Sequence, residues 1–283
     1  MQTPPALFDQ DLLTLRRARA ARLGEADFLH EAVAAEVADR LREVNRSFHA
    51  PAIVGPRAGL WAALLSAAGL PVARIAAGTD VLDLEEGAHD LVIHGLGLHW
   101  ANDPVGQLVQ VRRALRPDGL MIAALFGGET LSELRRALAE AEVATTGGLS
   151  PRVAPMGEIR DLGGLIQRAG LAMPVADHHR YNVTYASALA LMRDLRAMGE
   201  TNVLVDRDRR PMPRAMLAAT LASYSALFGL EDGRVPATFD VIFLTGWAPA
   251  ADQPKPLRPG SAAARLADAL GTNERSAGER AGR

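Results

Sequence analysis

The sequence predicts an α/β protein whose mostly parallel sheet has helices on both faces. Residues 90–131 carry the clearest evidence, because two apolar strands, at 91–93 and 120–126, flank an amphipathic helix that a turn at 116–119 should end. Strands that are apolar throughout are typical of a parallel sheet covered on both sides. A strand, a glycine turn and a helix at 52–68 repeat the pattern, and the alternation continues to Trp247.

Further helices precede this alternation and interrupt it before the last strand. In chain order the sequence predicts helices at 7–23 and 25–44, a strand at 52–54, a helix at 60–68, strands at 72–75 and 91–93, a helix ending at 115, a strand at 120–126, helices at 129–143 and 157–169, a strand at 175–185, helices at 186–198 and 212–228, and a strand at 238–247. The first two helices carry an apolar stripe at helical spacing, and the last strand consists mostly of large apolar residues.

The chain is expected to divide into three parts. Residues 1–50 form a helical segment packed on the core, residues 51–248 form the sheet domain with a helical cap at about 186–229, and residues 249–283 form a mobile tail. The tail is rich in proline, alanine and arginine and has few large apolar residues, so it lacks the means to build a core.

Composition excludes several classes of function. The chain has no cysteine, which rules out disulfides, thiolate nucleophiles and cysteine-ligated metals. A net charge of -2 gives no argument for nucleic acid as a partner. His178 and His179 adjoin on a strand and point to opposite faces, and no other spacing predicts a metal site. No apolar run approaches the roughly 20 residues that span a bilayer, and no targeting segment is visible, so a cytoplasmic location is expected.

The glycine turn that follows the first strand is a candidate cofactor site. Backbone at Gly55 and Gly59 would approach the cofactor, with Arg57 between them. Loops that bind S-adenosylmethionine usually begin with an acidic residue and contain three closely spaced glycines, but this chain has Ile53 at the acidic position and Arg57 at the middle glycine. A tight turn without a ligand is the alternative.

Two more polar residues belong to the candidate cofactor site. His94 follows the strand at 91–93, and ligands of open sheets bind beyond the carboxyl ends of the strands. Asp80 can accept a hydrogen bond from an adenine amino group, although an acidic loop between strands is more often only solvated. The carboxylate that would hold the ribose hydroxyls is missing, because residues 74–77 read Arg-Ile-Ala-Ala.

The loop after the strand at 91–93 is a candidate catalytic and substrate-binding region. His99 is the candidate acid or base and Trp100 the candidate pocket wall, although such a pair more often forms a packing corner. Asn102 and Asp103 are candidate substrate contacts, and the alternative is that they only form the N-cap of a helix with proline in its first turn.

A second candidate substrate region follows the strand at 120–126. Gly127, Gly128 and Thr130 are the candidate contacts, and Glu129 is the second candidate catalytic residue. A helix is predicted to begin here, so the alternative is that Glu129 only interacts with the positive end of that helix.

Seven segments, taken in order, point to a known family. They are FDQDLLTLRRARA (8–20), LHWANDP (98–104), LRPDGL (115–120), LFGGETLSELR (125–135), GGLSPRVAP (147–155), DLRAMGETN (194–202) and EDGRVPATF (231–239). Together they resemble the methyltransferase-like assembly factors of respiratory complex I, over about residues 8–247. The resemblance implies the class I S-adenosylmethionine-dependent methyltransferase fold, which agrees with the α/β interpretation.

The resemblance also implies a function. Mitochondrial members hydroxylate an arginine of a core complex I subunit during early assembly, so a complex I core subunit is the implied partner. The chain resembles a bacterial, cytoplasmic relative that would act at the inner membrane during assembly. Two alternatives remain open: a non-catalytic assembly factor, and methylation of malonyl-acyl carrier protein, which is the activity of a cousin family.

The cofactor loop departs from the pattern of active members of this family. Ile53, Arg57 and the absence of an acid after Ile75 fall on the positions that would contact the cofactor. We therefore expect weak or no binding of S-adenosylmethionine, with Arg57 and Trp61 partly filling the space beside Gly55.

Overall fold

The computed structural model describes residues 5–24, 26–76, 80–253 and 271–272. Residues 1–249 form one compact unit, and residues 250–283 group as a second. Most of the tail at 249–283, expected to be mobile, lies outside the described residues. The sheet and the helices given below all belong to the first unit.

In the described part of the chain, six strands form one mostly parallel sheet. They are β1 (Pro51–Val54), β2 (Arg74–Ala76), β3 (His89–Gly95), β4 (Leu115–Phe126), β5 (Ala172–Tyr185) and β6 (Val235–Trp247), in the order β2-β1-β3-β4-β6-β5. The first four are parallel to one another, and β6 runs antiparallel between β4 and β5. The predicted α/β fold with a mostly parallel sheet is confirmed.

Helices cover both faces of this sheet. They are α1 (Gln10–Leu23), α2 (Phe28–Glu43), α3 (Ala58–Ala67), α4 (Pro104–Ala114), α5 (Ser132–Thr146), α6 (Ile159–Arg168), α7 (Ala188–Met198) and α8 (Arg214–Phe228), with a short 3-10 helix at Leu98–Trp100. Helices α2, α3, α5, α7 and α8 share a core with one face, and α4 and α6 share a core with the other. Side chains alternate between the cores along each strand, so Ile53 and Val54 point to opposite faces.

The turn predicted at 116–119 lies inside β4 as a bulge. His89 pairs with Leu115 and Leu91 pairs with Leu120, so the residues between them are displaced from the ladder. Asp118 adopts the left-handed conformation with a φ of 61°, and its N–H donates to the carbonyl of Ala248 at 3.0 Å. β4 therefore begins directly where α4 ends.

Helix α5 begins at Ser132, later than the predicted start at residue 129, because the preceding backbone binds β6 instead. The N–H of Gly127 donates to the carbonyl of Asp240 at 2.7 Å, and the N–H of Leu131 donates to the carbonyl of Thr238 at 2.8 Å. These bonds hold the chain after β4 against the last strand, at the edge of the sheet where ligands are expected.

Helix α1 lies at the same edge of the sheet. Leu13 of α1 is buried in a small core with Phe8 and Trp100. The helix begins at Gln10, after the predicted start at residue 7, because the Asp9 side chain caps it by accepting from the N–H of Leu12 at 3.0 Å.

Candidate functional site

A cavity of about 730 Å³ opens beside the carboxyl end of β4. Its apolar walls come from Leu12 of α1, Phe126 of β4, Leu134 of α5, Leu195 of α7 and Phe239 of β6. Trp100 and Thr130, both candidate substrate contacts, also line it. The cavity thus lies where the sequence predicts the substrate.

Glu200, in the loop after α7, lies in the wall of this cavity and binds two neighbouring aromatic side chains. Trp100 Nε1 donates to Glu200 Oε2 at 2.6 Å, and His99 Nε2 lies 3.2 Å from the same oxygen. The N–H of Phe126 points to His99 Nδ1 at 3.5 Å, a weak contact that makes Nδ1 the acceptor and leaves a proton on Nε2. His99 therefore donates to Glu200.

The surroundings of Glu200 keep its carboxyl group ionised although it is buried. Burial raises the pKa of Glu200, but the combined effect of His99, Arg17 and Trp100 lowers it by more than burial raises it. The net pKa therefore lies below the ordinary value. Burial lowers the pKa of Arg17, and the charge of Glu200 opposes that shift. The result is a buried anion at the edge of the cavity, and the charge of Arg17 on α1 helps to stabilise it.

A second cavity, of about 440 Å³, lies beside the glycine turn. Gly55, Arg57 and Gly59 line it, as the sequence predicts for a cofactor site, together with Asp27 and His30. Arg57 has a φ of 60°, and its Nε donates to Asp27 Oδ1 at 2.9 Å. The guanidinium is therefore turned toward α2.

Trp61 does not fill this space, contrary to expectation, because it packs behind the turn instead. Its ring is fully buried, and Nε1 donates to His30 Nδ1 at 2.9 Å. A Cβ on Gly95 would lie 2.7 Å from Trp61 Cε2, so the ring occupies the room that a side chain at the end of β3 would need. Arg57 alone of the two expected residues lines the cavity.

The second cavity has room for a cofactor. Arg17 and Arg57 both line it. The Asp27 carboxylate is already paired with Arg57. Asp80, a candidate cofactor contact, is exposed and outside the lining, and its backbone carbonyl accepts from Gln110 Nε2 at 2.9 Å.

Packing within the protein, without any ligand, explains why a glycine begins this turn. Gly55 has a φ of 123°, and a Cβ there would lie 2.4 Å from the carbonyl oxygen of Gly95. Side chains rarely adopt that backbone conformation, and the neighbouring strand leaves no room for one. The glycine of the turn is thus required by the packing of β1 against β3.

His94 lies in a small cavity of about 100 Å³ between the two larger ones. This cavity touches Gly55 and Arg17 on one side and Trp100 on the other. His94 Nε2 lies 2.9 Å from Gln107 Oε1, and its buried Nδ1 has no hydrogen-bond partner among the described residues. Burial lowers the pKa of His94 to about 4, so the ring is neutral near pH 7.

Asn102 and Asp103 make contacts within the protein. Asn102 Oδ1 accepts from the N–H groups of Leu7 and Phe8 at 2.9 and 2.8 Å, which fixes the segment before α1. Asp103 caps α4 by accepting from the N–H of Gly106 at 2.8 Å. Asp103 is thus the N-cap of α4, and Asn102 holds the N-terminal segment.

The segment after β4 is held by similar internal contacts. The Thr130 hydroxyl donates to the carbonyl of Asp240 at 3.0 Å. A Cβ on Gly127 would lie 2.6 Å from Ile242 Cδ1, and one on Gly128 would lie 2.3 Å from Glu158 Oε1. Glu129 is exposed and does not line the 730 Å³ cavity. Thr130 is the member of this group that does.

The structure adds Glu200, Arg17 and Asp27 to the residues singled out in the sequence. Glu200 lies in the segment DLRAMGETN, which carries the family resemblance but no motif with a known chemical role. Gly199, next to it, has a φ of 80° and would place a Cβ 3.2 Å from Arg17 Cγ, so the glycine lets α1 approach Glu200.

Comparisons with known proteins extend this description. Over 286 residues the chain is 36% identical to the mitochondrial arginine-hydroxylase NDUFAF5 of Danio rerio, covering 93% of this chain and 89% of that protein. The human protein of the same name is 35% identical over 280 residues, covering 90% of this chain and 81% of its own. The chain belongs to the NDUFAF5 arginine-hydroxylase family.

The NDUFAF5 family has methyltransferase relatives, which the comparisons also reveal. A malonyl-[acyl-carrier protein] O-methyltransferase of Laribacter hongkongensis is 38% identical over 179 residues, 63% of this chain and 58% of that protein. A solved S-adenosylmethionine-dependent methyltransferase of Thermotoga maritima matches at a TM-score of 0.38 and 11% identity, covering 78% of this chain and 93% of that one. A search against models of protein families finds no match.

Fold and family therefore agree with the resemblance carried by the seven sequence segments. The protein has the class I methyltransferase fold, and its relatives include the arginine-hydroxylase NDUFAF5 and a malonyl-[acyl-carrier protein] O-methyltransferase. Within the described residues no helix combines the length and the apolarity needed to cross a membrane.

Proposed function

We propose that this protein modifies an arginine side chain of a complex I core subunit during assembly, as a protein arginine hydroxylase. Hydroxylation converts one C–H bond of that side chain to C–OH, and it balances with O₂ as the external oxidant and a two-electron donor that reduces the second oxygen atom to water. The observation that carries the proposal is 36% identity to the arginine-hydroxylase NDUFAF5 over 93% of the chain. The cytoplasmic location expected from the sequence, with transient contact to the inner membrane, belongs to the same proposal.

In this proposal Glu200 receives the guanidinium of the client arginine. It is a buried, ionised carboxylate in the wall of the 730 Å³ cavity. Carboxylates pair with guanidinium groups through strong, charge-assisted hydrogen bonds. His99 and Trp100 both bind Oε2, and so they fix the orientation in which the carboxylate meets its substrate.

The remaining candidate residues have supporting roles in this proposal. Phe126 and Leu195 shield the bound side chain from water. The exposed Glu129 lies just after β4 and would contact the surface of the client. Thr130 contributes to the wall, and its bonds to Asp240 hold that wall in place.

A complementation experiment tests the role of Glu200. The gene is deleted in its host, and NADH dehydrogenase activity is measured in membranes after complementation. The wild-type chain and the exposed control Glu231→Gln should restore activity, and Glu200→Gln should not, with protein levels checked by immunoblot. Full rescue by Glu200→Gln, or normal activity in the deletion strain, would contradict the proposal.

We also propose that S-adenosylmethionine is bound weakly or not at all. The supporting observations are the pairing of Arg57 with Asp27 and the end of β2 at Ala76 without a carboxylate. A buried ribose that lacks a charged hydrogen-bond partner loses on the order of 1.5–3 kcal/mol, or ~10- to 100-fold in affinity.

Calorimetric titration with S-adenosylmethionine tests this second point. The wild-type chain should give no binding in the micromolar range. Arg57→Gly, which suits the positive φ and removes one cation, should bind more tightly than the wild type. Micromolar or tighter affinity in the wild-type chain would refute the proposal.

A non-catalytic assembly factor is the second candidate function. It is favoured because two candidate ligand-binding residues bind other parts of the protein instead: Asn102 binds the N-terminal segment and Arg57 binds Asp27. In that case the deletion strain would still lose complex I activity, but the client arginine would be unmodified in the wild type. The state of that arginine separates the two candidates.

A further inference from the structure

Arginine side chains line the 730 Å³ cavity in large excess over carboxylates. They come from α1, from the loop after α5, from α7 and from the loop before α8: Arg16, Arg19, Arg152, Arg196, Arg207, Arg209 and Arg210. The carboxylates in the lining are Glu200 and Asp208. The chain as a whole carries a net charge of -2, so this concentration of positive charge is local.

Part of this positive charge is neutralised within the protein. Arg152 lies 2.6 Å from Glu142, Arg207 lies 3.3 Å from Asp9, and Arg210 lies 3.1 Å from Asp208. These pairs hold the loops that frame the cavity. The other four arginines of the lining are not in these pairs.

Those four, Arg16, Arg19, Arg196 and Arg209, have no carboxylate oxygen within 4.0 Å in the part of the chain that the structure describes. The charge of Arg209 nevertheless acts on Asp9 and helps to lower the pKa of that carboxyl group. Arg16 is partly buried, and its Nε has no hydrogen-bond partner within the described residues. That nitrogen is closed off from the cavity, and Arg19, Arg196 and Arg209 are exposed, so it is the outer guanidinium nitrogens that can donate charge-assisted hydrogen bonds to a bound anion.

The walls behind these arginines are apolar. They are formed mainly by Phe126, Leu131, Leu134, Leu138, Met192 and Met212. A volume of about 730 Å³ is in the range that binds small organic molecules. An inorganic anion would leave the apolar walls wet, and an uncharged hydrocarbon would leave the guanidinium groups unpaired.

We propose that this cavity binds an organic carboxylate with an apolar body, its carboxylate paired with Arg16 and Arg209 and its body against the apolar walls. The site is distinct from the proposed contact of a client arginine with Glu200. A guanidinium at Glu200 fills only part of the volume, which leaves Arg16 and Arg209 for a separate anion. The anion site stands whether or not the protein modifies arginine.

Binding of dodecanoate, below its micelle-forming concentration, tests the proposal by calorimetry and by intrinsic tryptophan fluorescence, to which Trp100 in the cavity lining contributes. The comparison ligands are dodecan-1-ol, which has the chain without the charge, acetate, which has the charge without the chain, and dodecyltrimethylammonium, which reverses the charge. Dodecanoate should bind with one-to-one stoichiometry. Dodecan-1-ol and dodecyltrimethylammonium should bind at least roughly tenfold more weakly, the factor expected for one lost charge-assisted contact. Acetate should bind more weakly still, because it lacks the apolar chain.

Matched variants locate the site. Arg16→Gln combined with Arg209→Gln should weaken dodecanoate binding roughly tenfold or more. Arg180→Gln, on the exposed face of β5 and outside this cavity, should bind as the wild type does. Circular dichroism and thermal melting establish that each variant is folded.

Three results would overturn the proposal. Equal binding of dodecan-1-ol would mean that the arginines contribute nothing. Unchanged dodecanoate binding by the double variant would place the ligand elsewhere. Co-sedimentation with phosphatidylglycerol vesicles, lost in the double variant while monomeric dodecanoate does not bind, would assign these arginines to a membrane surface instead.

Discussion

Glu200 connects three parts of the molecule that are distant in sequence. Its Oε2 meets His99 and Trp100 from the loop after β3, and its charge faces Arg17 of α1. A buried carboxylate with two donors on one oxygen holds those donors in place, and removing its charge leaves them poorly paired. The site therefore depends on this residue for its structure as well as for its proposed chemistry.

Glu200→Gln should lower the free energy of unfolding by about 1–3 kcal/mol, because the amide cannot serve both donors as the anion does. Urea denaturation of the purified chain measures the change. The exposed control Glu231→Gln should stay within about 0.5 kcal/mol of the wild type. Equal stability of Glu200→Gln and the control would show that the contacts seen at Oε2 contribute little.

Two buried histidines give the protein a specific pH dependence. Burial lowers the pKa of His94 and of His30 from 6.5 to about 4. Between pH 6.5 and pH 4 the unfolded chain therefore binds more protons at these residues than the folded chain does. Stability should be full above pH 6.5 and should fall as the pH is lowered toward 4, by on the order of 3 kcal/mol for each histidine.

Urea denaturation at a series of pH values checks this dependence. His94→Gln should reduce the loss of stability on acidification, since it removes one of the two groups. His49→Gln, at an exposed histidine, should leave the slope unchanged. If His94→Gln and the wild type lose stability in parallel, His94 is not the source of the effect.

At the level of elements, the turn between β1 and α3 determines how closely the strands meet. Gly55→Ala places a Cβ 2.4 Å from the carbonyl oxygen of Gly95 at a φ of 123°. We expect a loss of about 1–3 kcal/mol or more in unfolding free energy. Gly148→Ala, where a Cβ meets nothing within 4 Å, is the control and should be nearly neutral. A neutral Gly55→Ala would show that the strands can separate there without cost.

The elements themselves could largely be predicted from the sequence, because apolar runs and helical periodicity reflect burial in this sheet. The start of α5 could not, since residues 127–131 bind β6, which lies about a hundred residues later in the chain. The bulge in β4 has the same cause. Asp118 bonds to the backbone of Ala248, and no local pattern in the sequence predicts that pairing.

For the molecule as a whole, the sequence locates the edge of the sheet that carries the site but not the residues that meet there. The helical insertion before the last strand brings Glu200 to His99. The pattern of a single sequence does not predict which residues of such an insertion contact the rest of the domain. Asp27 likewise reaches Arg57 from the N-terminal helices. A polar loop residue such as Glu200 has no periodic sequence pattern around it. Only the family resemblance marks the segment 194–202, in which Glu200 lies.

The three cavities lie along one edge of the sheet and have different chemical character. In the cavity beside Gly55 the Asp27 carboxylate is paired with Arg57, whereas the cavity beside Phe126 has a buried anion and a cationic rim. This distribution moves the expected site of function from the glycine turn to the region between α1, α5 and α7. The central claim is that a client arginine is modified there.

Peptide mass spectrometry of the complex I core subunits tests that claim most directly. Subunits are isolated from wild-type cells, from the deletion strain, and from strains complemented with Glu200→Gln or Glu231→Gln. We predict one arginine that carries an added oxygen atom in the wild type and the Glu231→Gln strain and lacks it in the other two. Core subunits whose arginines are all unmodified in the wild type would contradict the account.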